Sequence, residues 1–186
     1  MTRQCVVESL ANQICRNIFI GPSPENATDI YHITQILKCN TVLNVSDRKF
    51  RIINRPSSVA GYEGSNDSEE TALKNEGVQY KQVPMTDGGG FPFKKMVEII
   101  EFANSVHLKD PDNYRLYIHC YGGMSRSAAA VAAIFIGWGH NPEETKRMLE
   151  RRHSSTLIHP DLWRDLIKNK DRLKGKTVLW NPKREV

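Results

Sequence analysis

Residues 115–130, RLYIHCYGGMSRSAAA, constrain the fold of this chain more than any other stretch. A short apolar run at residues 116–118 predicts a strand, Gly122 and Gly123 predict a tight loop, and the alanine-rich sequence after Ser127 predicts a helix. Such a loop directs several backbone N–H groups into one small volume, and the dipole of the following helix adds positive potential there. The stretch therefore predicts a binding site for a dianion.

Two side chains make this predicted site reactive. Cys120 lies at the start of the loop and Arg126 at its end, with five residues between them, so the loop can bring the guanidinium over the cavity that the sulfur faces. The thiolate is the nucleophilic form of cysteine, and an ordinary pKa of ~8.5 is lowered by helix N-termini and nearby cations. Arg126 can hold two phosphate oxygens in a fork, which lysine cannot do with the same geometry. We expect Cys120 to be ionised at neutral pH, Ser127 to offer its hydroxyl to the departing sulfur, and His119 to orient the loop through a backbone hydrogen bond.

Residues 119–127, HCYGGMSRS, resemble the signature of the cysteine-dependent protein tyrosine phosphatase superfamily. The Ser-Arg-Ser ending is similar to the dual-specificity branch, in its small, atypical single-domain form, and the resemblance extends over roughly residues 15–173. It implies that the loop binds the phosphoryl oxygens of the substrate through these residues: Tyr121, Gly122, Gly123, Met124, Ser125 and Arg126. The alternative is a buried structural cysteine beside a glycine turn.

A thiol that attacks phosphate needs an acid for the leaving oxygen, and Asp87 is the first candidate. Residues 78–83 predict a strand, and three glycines after Asp87 predict a mobile loop that can carry the carboxyl over a bound substrate. Asp87 would protonate the leaving oxygen and then activate the water that hydrolyses the phosphocysteine. In the resembling family the acid likewise follows a strand upstream of the nucleophile. Asp47, at the end of a different strand, is the other candidate, and a plain turn is the structural alternative for Asp87.

Two further segments bear on the site. Residues 41–45 predict a strand, and Asn44 within it matches an asparagine that braces the phosphate loop in the resembling family, so the resemblance implies a supporting role; a strand-end turn residue is the alternative. The connection at residues 47–77, basic in its first half and acidic in its second, shows no pattern of regular structure. We interpret it as a substrate-side loop or a flexible insertion.

The order of predicted elements is typical of an α/β domain. We expect a central, mostly parallel sheet of four to five strands flanked by helices on both faces, as in dual-specificity phosphatases, with the anion site at the carboxyl end of the strand before Cys120. Helices are predicted at residues 25–37, 92–106, 128–138, from 142 after an Asn141 cap, and about 160–173. The predicted organisation is an N-terminal arm (1–13), a phosphatase catalytic domain (14–174) and a basic C-terminal tail (175–186).

Composition limits the partners and the compartment. The 186 residues contain no long apolar run and open with no secretory signal, so we expect no membrane partner. The four cysteines have no metal-ligand spacing, and together with a catalytic thiolate this predicts a reducing location, cytoplasmic, nuclear or both. We expect no metal or organic cofactor, because fixed positive charge in the loop would replace Mg²⁺. A net charge of +5 without interleaved aromatic residues makes nucleic acid an unexpected partner. A monomer and a homodimer through the N-terminal arm both remain open.

These patterns predict a protein phosphatase that hydrolyses phosphotyrosine and phosphoserine or phosphothreonine through a phosphocysteine intermediate. The side chains within the loop are uncharged, whereas lipid phosphatases of the broader group tend to carry lysines there, and this favours a phosphorylated protein as substrate. The same loop would also serve a phosphoinositide phosphatase or an RNA 5'-triphosphatase, although the latter would not need Asp87. A phosphopeptide-binding module without turnover is the non-enzymatic alternative.

Overall fold

A five-stranded sheet forms the centre of the molecule, in a computed structural model that describes residues 10–52 and 67–175. The strands are β1 (Asn12–Cys15), β2 (Ile18–Gly21), β3 (Thr41–Ser46), β4 (Gln79–Met85) and β5 (Leu116–His119). Their order in the sheet is β1-β2-β5-β3-β4; β1 is antiparallel to β2, and the other pairings are parallel. The predicted mostly parallel sheet of four to five strands is confirmed.

Helices cover both faces of this sheet, as predicted. They are α1 (Ala27–Tyr31), which continues into a π-helical turn (His32–Ile36), α2 (Glu69–Asn75), α3 (Phe93–Lys109), α4 (Arg126–Gly137), α5 (Pro142–Arg152) and α6 (Pro160–Leu173). The helices α3 to α6 pack in the larger core on one face, while α1, the π-helical turn and α2 pack in a smaller core on the other.

Alternation along β5 decides which side chains reach which core. Leu116 and Ile118 point into the larger core, and Tyr117 points into the smaller one, because successive side chains of a strand point to opposite faces. His119 therefore lies on the same face as Tyr117, and the two rings stack at 5.8 Å between centroids. The residue before the predicted nucleophile thus points towards α2 and away from α4.

The helix that follows the glycine loop is the buried helix of the fold. Every residue of α4 is buried, which confirms the expectation from its apolar sequence. The next helix begins as predicted: Oδ1 of Asn141 accepts hydrogen bonds from the amides of Glu143 (2.9 Å) and Glu144 (3.3 Å), with Pro142 in the first helical position. Local capping chemistry in the sequence was therefore a reliable guide to this boundary.

The structure differs from the sequence predictions in two places. Strand β1 begins at Asn12, inside the predicted arm, and escaped notice because only Ile14 of its four residues is buried. Helix α2 lies within the connection that we predicted to be irregular; Oγ of Ser68 caps it by accepting from the amide of Thr71 at 3.2 Å. The rest of the arm (1–9), the middle of the connection (53–66) and most of the basic tail (176–186) lie outside the described residues.

Candidate active site

The loop between β5 and α4 is fixed from outside through its carbonyl groups. Three of these carbonyls accept hydrogen bonds: Tyr121 from the amide of Ser23 (2.9 Å), Gly123 from Nε2 of His153 (2.8 Å), and Met124 from the amide of Leu157 (3.1 Å). Because the carbonyls are engaged outwards, amides of the loop are available to the inside, where those of Gly123 and Ser127 donate towards the sulfur of Cys120. We call residues 120–127, with these inward amides, the cradle; its binding of an anion stays a prediction.

Gly123 is the position where the loop demands glycine. Its φ is +73°, a conformation that L residues with a side chain rarely adopt, and a Cβ there would overlap the backbone of Gly21 and Pro22. The end of β2 thus supports the loop from behind, and this close approach fixes how far the cradle can open.

Cys120 is buried at the base of this cradle, with its Sγ 3.4 Å from Oγ of Ser127. Burial raises the pKa of the thiol, but the Ser127 hydroxyl, the amides of Ser127 and Gly123 and the charge of Arg126 more than offset this, so the pKa of Cys120 is lowered. By contrast, burial raises the pKa of Cys39 to about 12 despite the charge of Arg115 nearby. Of these two buried thiols, the one in the cradle has the lowered pKa and the other has the raised pKa.

Arg126, the first residue of α4, is buried and held by one edge of its guanidinium. Its Nη1 donates to Oδ1 of Asp47 at 2.9 Å and to the carbonyl of Met85 at 3.1 Å. Its Nη2 lies 3.4 Å from Oδ2 of Asp87. The structure thus brings both predicted acid candidates to the same cation, from the ends of β3 and β4 respectively.

The two carboxylates differ in how firmly they are placed. Asp87 is the more exposed, with 71% of its side chain accessible against 41% for Asp47, and Gly88 after it has a φ of +68°. Asp87 also makes the longer contact with Arg126. An exposed carboxylate on a glycine turn can move with a substrate, whereas Asp47 forms the shorter ion pair. This arrangement favours Asp87 as the acid and Asp47 as the residue that orients the arginine.

The remaining loop residues lie at the mouth of the cradle. Tyr121, Gly122 and Met124 are exposed. Tyr121 is 52% accessible and Met124 is 45% accessible. Ser125 uses its Oγ to accept a hydrogen bond from the amide of His159 at 3.0 Å. The hydroxyl of Ser125 thus binds the connection between α5 and α6. Its backbone belongs to the loop, immediately before the first residue of α4.

A buried ion pair lies directly behind the nucleophile. Nε2 of His119 is 2.5 Å from Oε1 of Glu69, and both side chains are almost completely inaccessible. Nδ1 of His119 lies 3.0 Å from the carbonyl oxygen of Cys120, which matches the predicted backbone contact. Glu69 was not predicted from the sequence, because nothing in its polar, acidic segment distinguishes a buried glutamate from its solvated neighbours.

Asn44 acts at one remove from the loop. Its Nδ2 donates to Oε2 of Glu69 (3.1 Å) and to the hydroxyl of Tyr80 (3.1 Å), and its Oδ1 accepts from the amide of Ser46 (2.7 Å). Asn44 is therefore connected to the loop through Glu69 and His119, and its bracing role stays a prediction.

Residues of the segment after β3 form an aromatic and basic surface beside the cradle. The ring of Phe50 stacks on Tyr121 with 6.2 Å between centroids, and the guanidinium carbon of Arg48 lies 5.2 Å from the centre of the same ring. Arg48 and the next residue, Lys49, are both exposed. From the sequence we interpreted this segment as a substrate-side loop or a flexible insertion, and in the structure Arg48 and Phe50 contact Tyr121 of the loop.

Within residues 10–52 and 67–175, no group of three histidine, cysteine, aspartate or glutamate residues is arranged to hold a metal ion. In the same part of the chain, none of the helices combines the length and apolar character that crossing a membrane requires.

Comparison with known proteins gives a fold and no sequence family. No family model matches the chain. No curated protein matches it either. A solved structure of PTPMT1 in complex with PI(5)P is similar, with a TM-score of 0.68 and 18% identity over 88% of this chain and 96% of that one.

Two more solved structures show the same likeness. A mouse putative dual specificity phosphatase complexed with zinc tungstate has a TM-score of 0.64 and 18% identity, covering 93% of this chain and 94% of that one. Human DUSP28 has a TM-score of 0.61 and 17% identity, covering 90% and 97%. The similarity extends over nearly the whole length of each structure. The chain therefore has the fold of the small, single-domain dual-specificity phosphatases, which is a form of the cysteine-dependent protein tyrosine phosphatase fold.

Proposed function

We propose that this protein is a dual-specificity protein phosphatase that hydrolyses phosphotyrosine and phosphoserine or phosphothreonine through a phosphocysteine. The observation that carries the proposal is the convergence of three groups at one loop. The thiol of Cys120 has a lowered pKa, Arg126 is fixed beside it, and the exposed carboxylate of Asp87 contacts that arginine. A nucleophile, an oxyanion clamp and an acid are the three parts that transfer of a phosphoryl group to sulfur requires.

Binding begins at the edge of Arg126 that Asp87 contacts. Nη1 is already held by Asp47 and Met85, so the edge formed by Nε and Nη2 is the one that meets two oxygens of the phosphate dianion. The dianion displaces the exposed carboxylate of Asp87 from Nη2 and receives the inward amides of the loop. These fixed positive groups stabilise the equatorial oxygens in the transition state.

In the first step the thiolate of Cys120 attacks phosphorus, an S–P bond forms and the P–O bond to the substrate breaks. Asp87, protonated, gives its proton to the leaving oxygen, so the product is a neutral alcohol or phenol. In the second step Asp87 takes a proton from water, which attacks phosphorus as the S–P bond breaks. The Ser127 hydroxyl, 3.4 Å from Sγ, stabilises the returning thiolate, and inorganic phosphate leaves.

The mouth of the site supports a phosphorylated protein as substrate. Tyr121, Met124 and Phe50 offer an apolar and aromatic surface beside the cradle, and the loop itself carries no cation other than Arg126. A peptide backbone flanking the phosphorylated residue can lie against such a surface.

Phosphoinositide phosphatase activity is the second candidate. PTPMT1, a protein of the same fold, has been solved with PI(5)P, and in this chain the exposed Arg48 lies over the ring of Tyr121, with the exposed Lys49 next in the sequence. A headgroup with further phosphates could contact these cations.

Release of phosphate from a substrate panel separates these candidates. The panel contains matched phosphotyrosine and phosphothreonine peptides, PI(5)P in micelles and triphosphorylated RNA, each with wild type and Cys120→Ser. We expect release from both peptides by wild type and none by the variant. Release from PI(5)P alone would favour the lipid candidate, and phosphopeptide binding without release from any substrate would establish a binding module.

A further inference from the structure

The carboxylate of Glu69 is the most completely buried acid near the nucleophile, and the reaction described above does not use it. It belongs to the first turn of α2, on the opposite face of the sheet from α4. Its Oε1 contacts Nε2 of His119, while its Oε2 accepts from Nδ2 of Asn44 at 3.1 Å and from the hydroxyl of Tyr80 at 3.4 Å. Side chains from three strands therefore converge on one buried carboxylate.

The surroundings of His119 favour a proton on both ring nitrogens. Nδ1 lies 3.0 Å from the carbonyl oxygen of Cys120, which can only accept a hydrogen bond. Nε2 lies 2.5 Å from Oε1 of Glu69 without forming a well-oriented hydrogen bond, so these two groups interact as a close buried charge pair that favours the imidazolium form of the ring. Burial lowers the pKa of His119, but the Glu69 carboxylate and the Cys120 carbonyl outweigh it and raise the pKa above its usual value.

We propose that Glu69 is a positioning residue for the nucleophile: through His119 it fixes the carbonyl of Cys120 and maintains a buried positive charge behind the thiolate. This inference rests on the proposed function and adds to it the residue that keeps the thiol of Cys120 ionised. Helix α2, which lies in the connection at residues 47–77, would thus contribute to the chemistry on the other face of the sheet.

The surroundings of His119 make the loss of that charge predictable. The charged or titratable groups that face it are Glu69 from α2, Tyr80 beyond Glu69 from β4, Tyr117 from its own strand, and Cys120. Phe50 closes the remaining side, with 6.0 Å between ring centroids. Glu69 is the one carboxylate in contact with the ring among the described residues, so an imidazolium without it would be buried beside no anion other than the thiolate. The ring then loses its proton, and the thiolate loses its neighbouring positive charge.

The test compares Glu69→Gln with Glu70→Gln. Glu70 is the next residue of α2 and pairs with Lys74 on the surface, so its variant removes the same charge from the same helix turn without touching His119. The measurement is the midpoint pH for alkylation of Cys120 by iodoacetamide, followed by peptide mapping. We expect the midpoint to rise by about one pH unit in Glu69→Gln, the lower end of the shift a close charge causes, and to stay at the wild-type value in Glu70→Gln. An unchanged or lower midpoint in Glu69→Gln would overturn the proposal.

A second measurement uses the wild-type chain and covers the case in which Glu69→Gln does not fold. The imidazole nitrogen chemical shifts of isotope-labelled His119, assigned with a His119→Asn variant, report its protonation directly. Two protonated nitrogens at neutral pH support the proposal, and a neutral ring contradicts it. Both readouts are independent of turnover, so the inference can fail while phosphatase activity stands, and the absence of phosphate release would leave these results interpretable.

Discussion

Asp47 and Arg126 form an ion pair in which Oδ1 lies 2.9 Å from Nη1, and this contact fixes which edge of the guanidinium faces the cradle. Asp87 contacts the other terminal nitrogen at 3.4 Å from an exposed glycine turn. We therefore expect the two carboxylates to have different tasks: Asp47 would orient the arginine, and Asp87 would exchange places with substrate. Mutation can separate these tasks.

Asp87→Asn removes the proton donor and should lower turnover of phosphoserine peptide by about two to four decades, the range for general acid catalysis. With an activated aryl phosphate the loss in kcat/KM should be small, because its leaving group departs without a proton. The measurement is the dependence on leaving-group pKa of kcat/KM, which reports the steps up to formation of the phosphocysteine and not its later hydrolysis. Asp47→Asn is the matched control and should raise KM by a few fold with little change in that dependence. If Asp47→Asn shows the steep dependence instead, the two roles are reversed.

Arg126→Lys keeps the charge but loses the fork and the contact with the carbonyl of Met85. We expect kcat/KM to fall by at least about two decades, similar to the loss of one preorganised donor to a developing oxyanion. Inhibition by vanadate should weaken in parallel, since vanadate meets the same two-oxygen clamp. A lysine variant with near wild-type kcat/KM would show that the fork does not bind the phosphoryl group.

The thiols of Cys120 and Cys39 should alkylate in different pH ranges. The lowered pKa of Cys120 means that its thiolate is present above that pKa and is lost as pH falls through it, so reaction persists at neutral pH. Cys39, with a pKa raised to about 12, should remain unmodified there. Ser127→Ala removes the hydroxyl that the thiolate accepts from and should move the Cys120 midpoint to higher pH. Peptide mapping after iodoacetamide treatment measures both; equal labelling of the two cysteines at neutral pH would refute the assignment.

Gly123→Ala should lower both stability and activity. The substitution forces a side chain into a positive φ and against the backbone of Gly21 and Pro22, at a conformational cost of about 1–3 kcal/mol before the steric overlap is counted. Gly139→Ala is the control, because Gly139 has a φ of +92° but no neighbouring atoms within 4 Å of its added Cβ. Urea denaturation should show a lower free energy of unfolding in both variants. Phosphate release should fall in Gly123→Ala and stay at the wild-type rate in Gly139→Ala. Equal stability losses with retained activity would mean that the loop has room to relax.

Much of the fold was predictable because local signals and tertiary packing agree. The apolar run before Cys120, the glycine turn and the alanine-rich helix occur in the predicted order, and Asn141 caps α5 as expected. The short elements β1 and α2 were missed because each buries very few side chains, one in β1 and two in α2, and so has almost no periodic pattern.

The composition of the site was only partly predictable. Cys120, Arg126, Ser127 and Asp87 belong to one motif or follow a strand at a recognisable place, so sequence could nominate them. Their roles remain predictions, which the experiments above test. Glu69 could not be nominated, since its meaning depends on the sheet bringing α2 against a histidine fifty residues later in the chain. Contacts between distant segments are decided by packing that a single sequence does not display.

Trapping the covalent intermediate tests the central claim most directly. Wild type is mixed with a peptide carrying radiolabelled phosphate, denatured within the first turnover, digested at neutral pH and mapped, with Cys120→Ser treated in parallel. We expect label on the peptide that contains Cys120 in wild type, and neither label nor phosphate release in the variant. Label on another residue, or release of phosphate by Cys120→Ser at the wild-type rate, would contradict it.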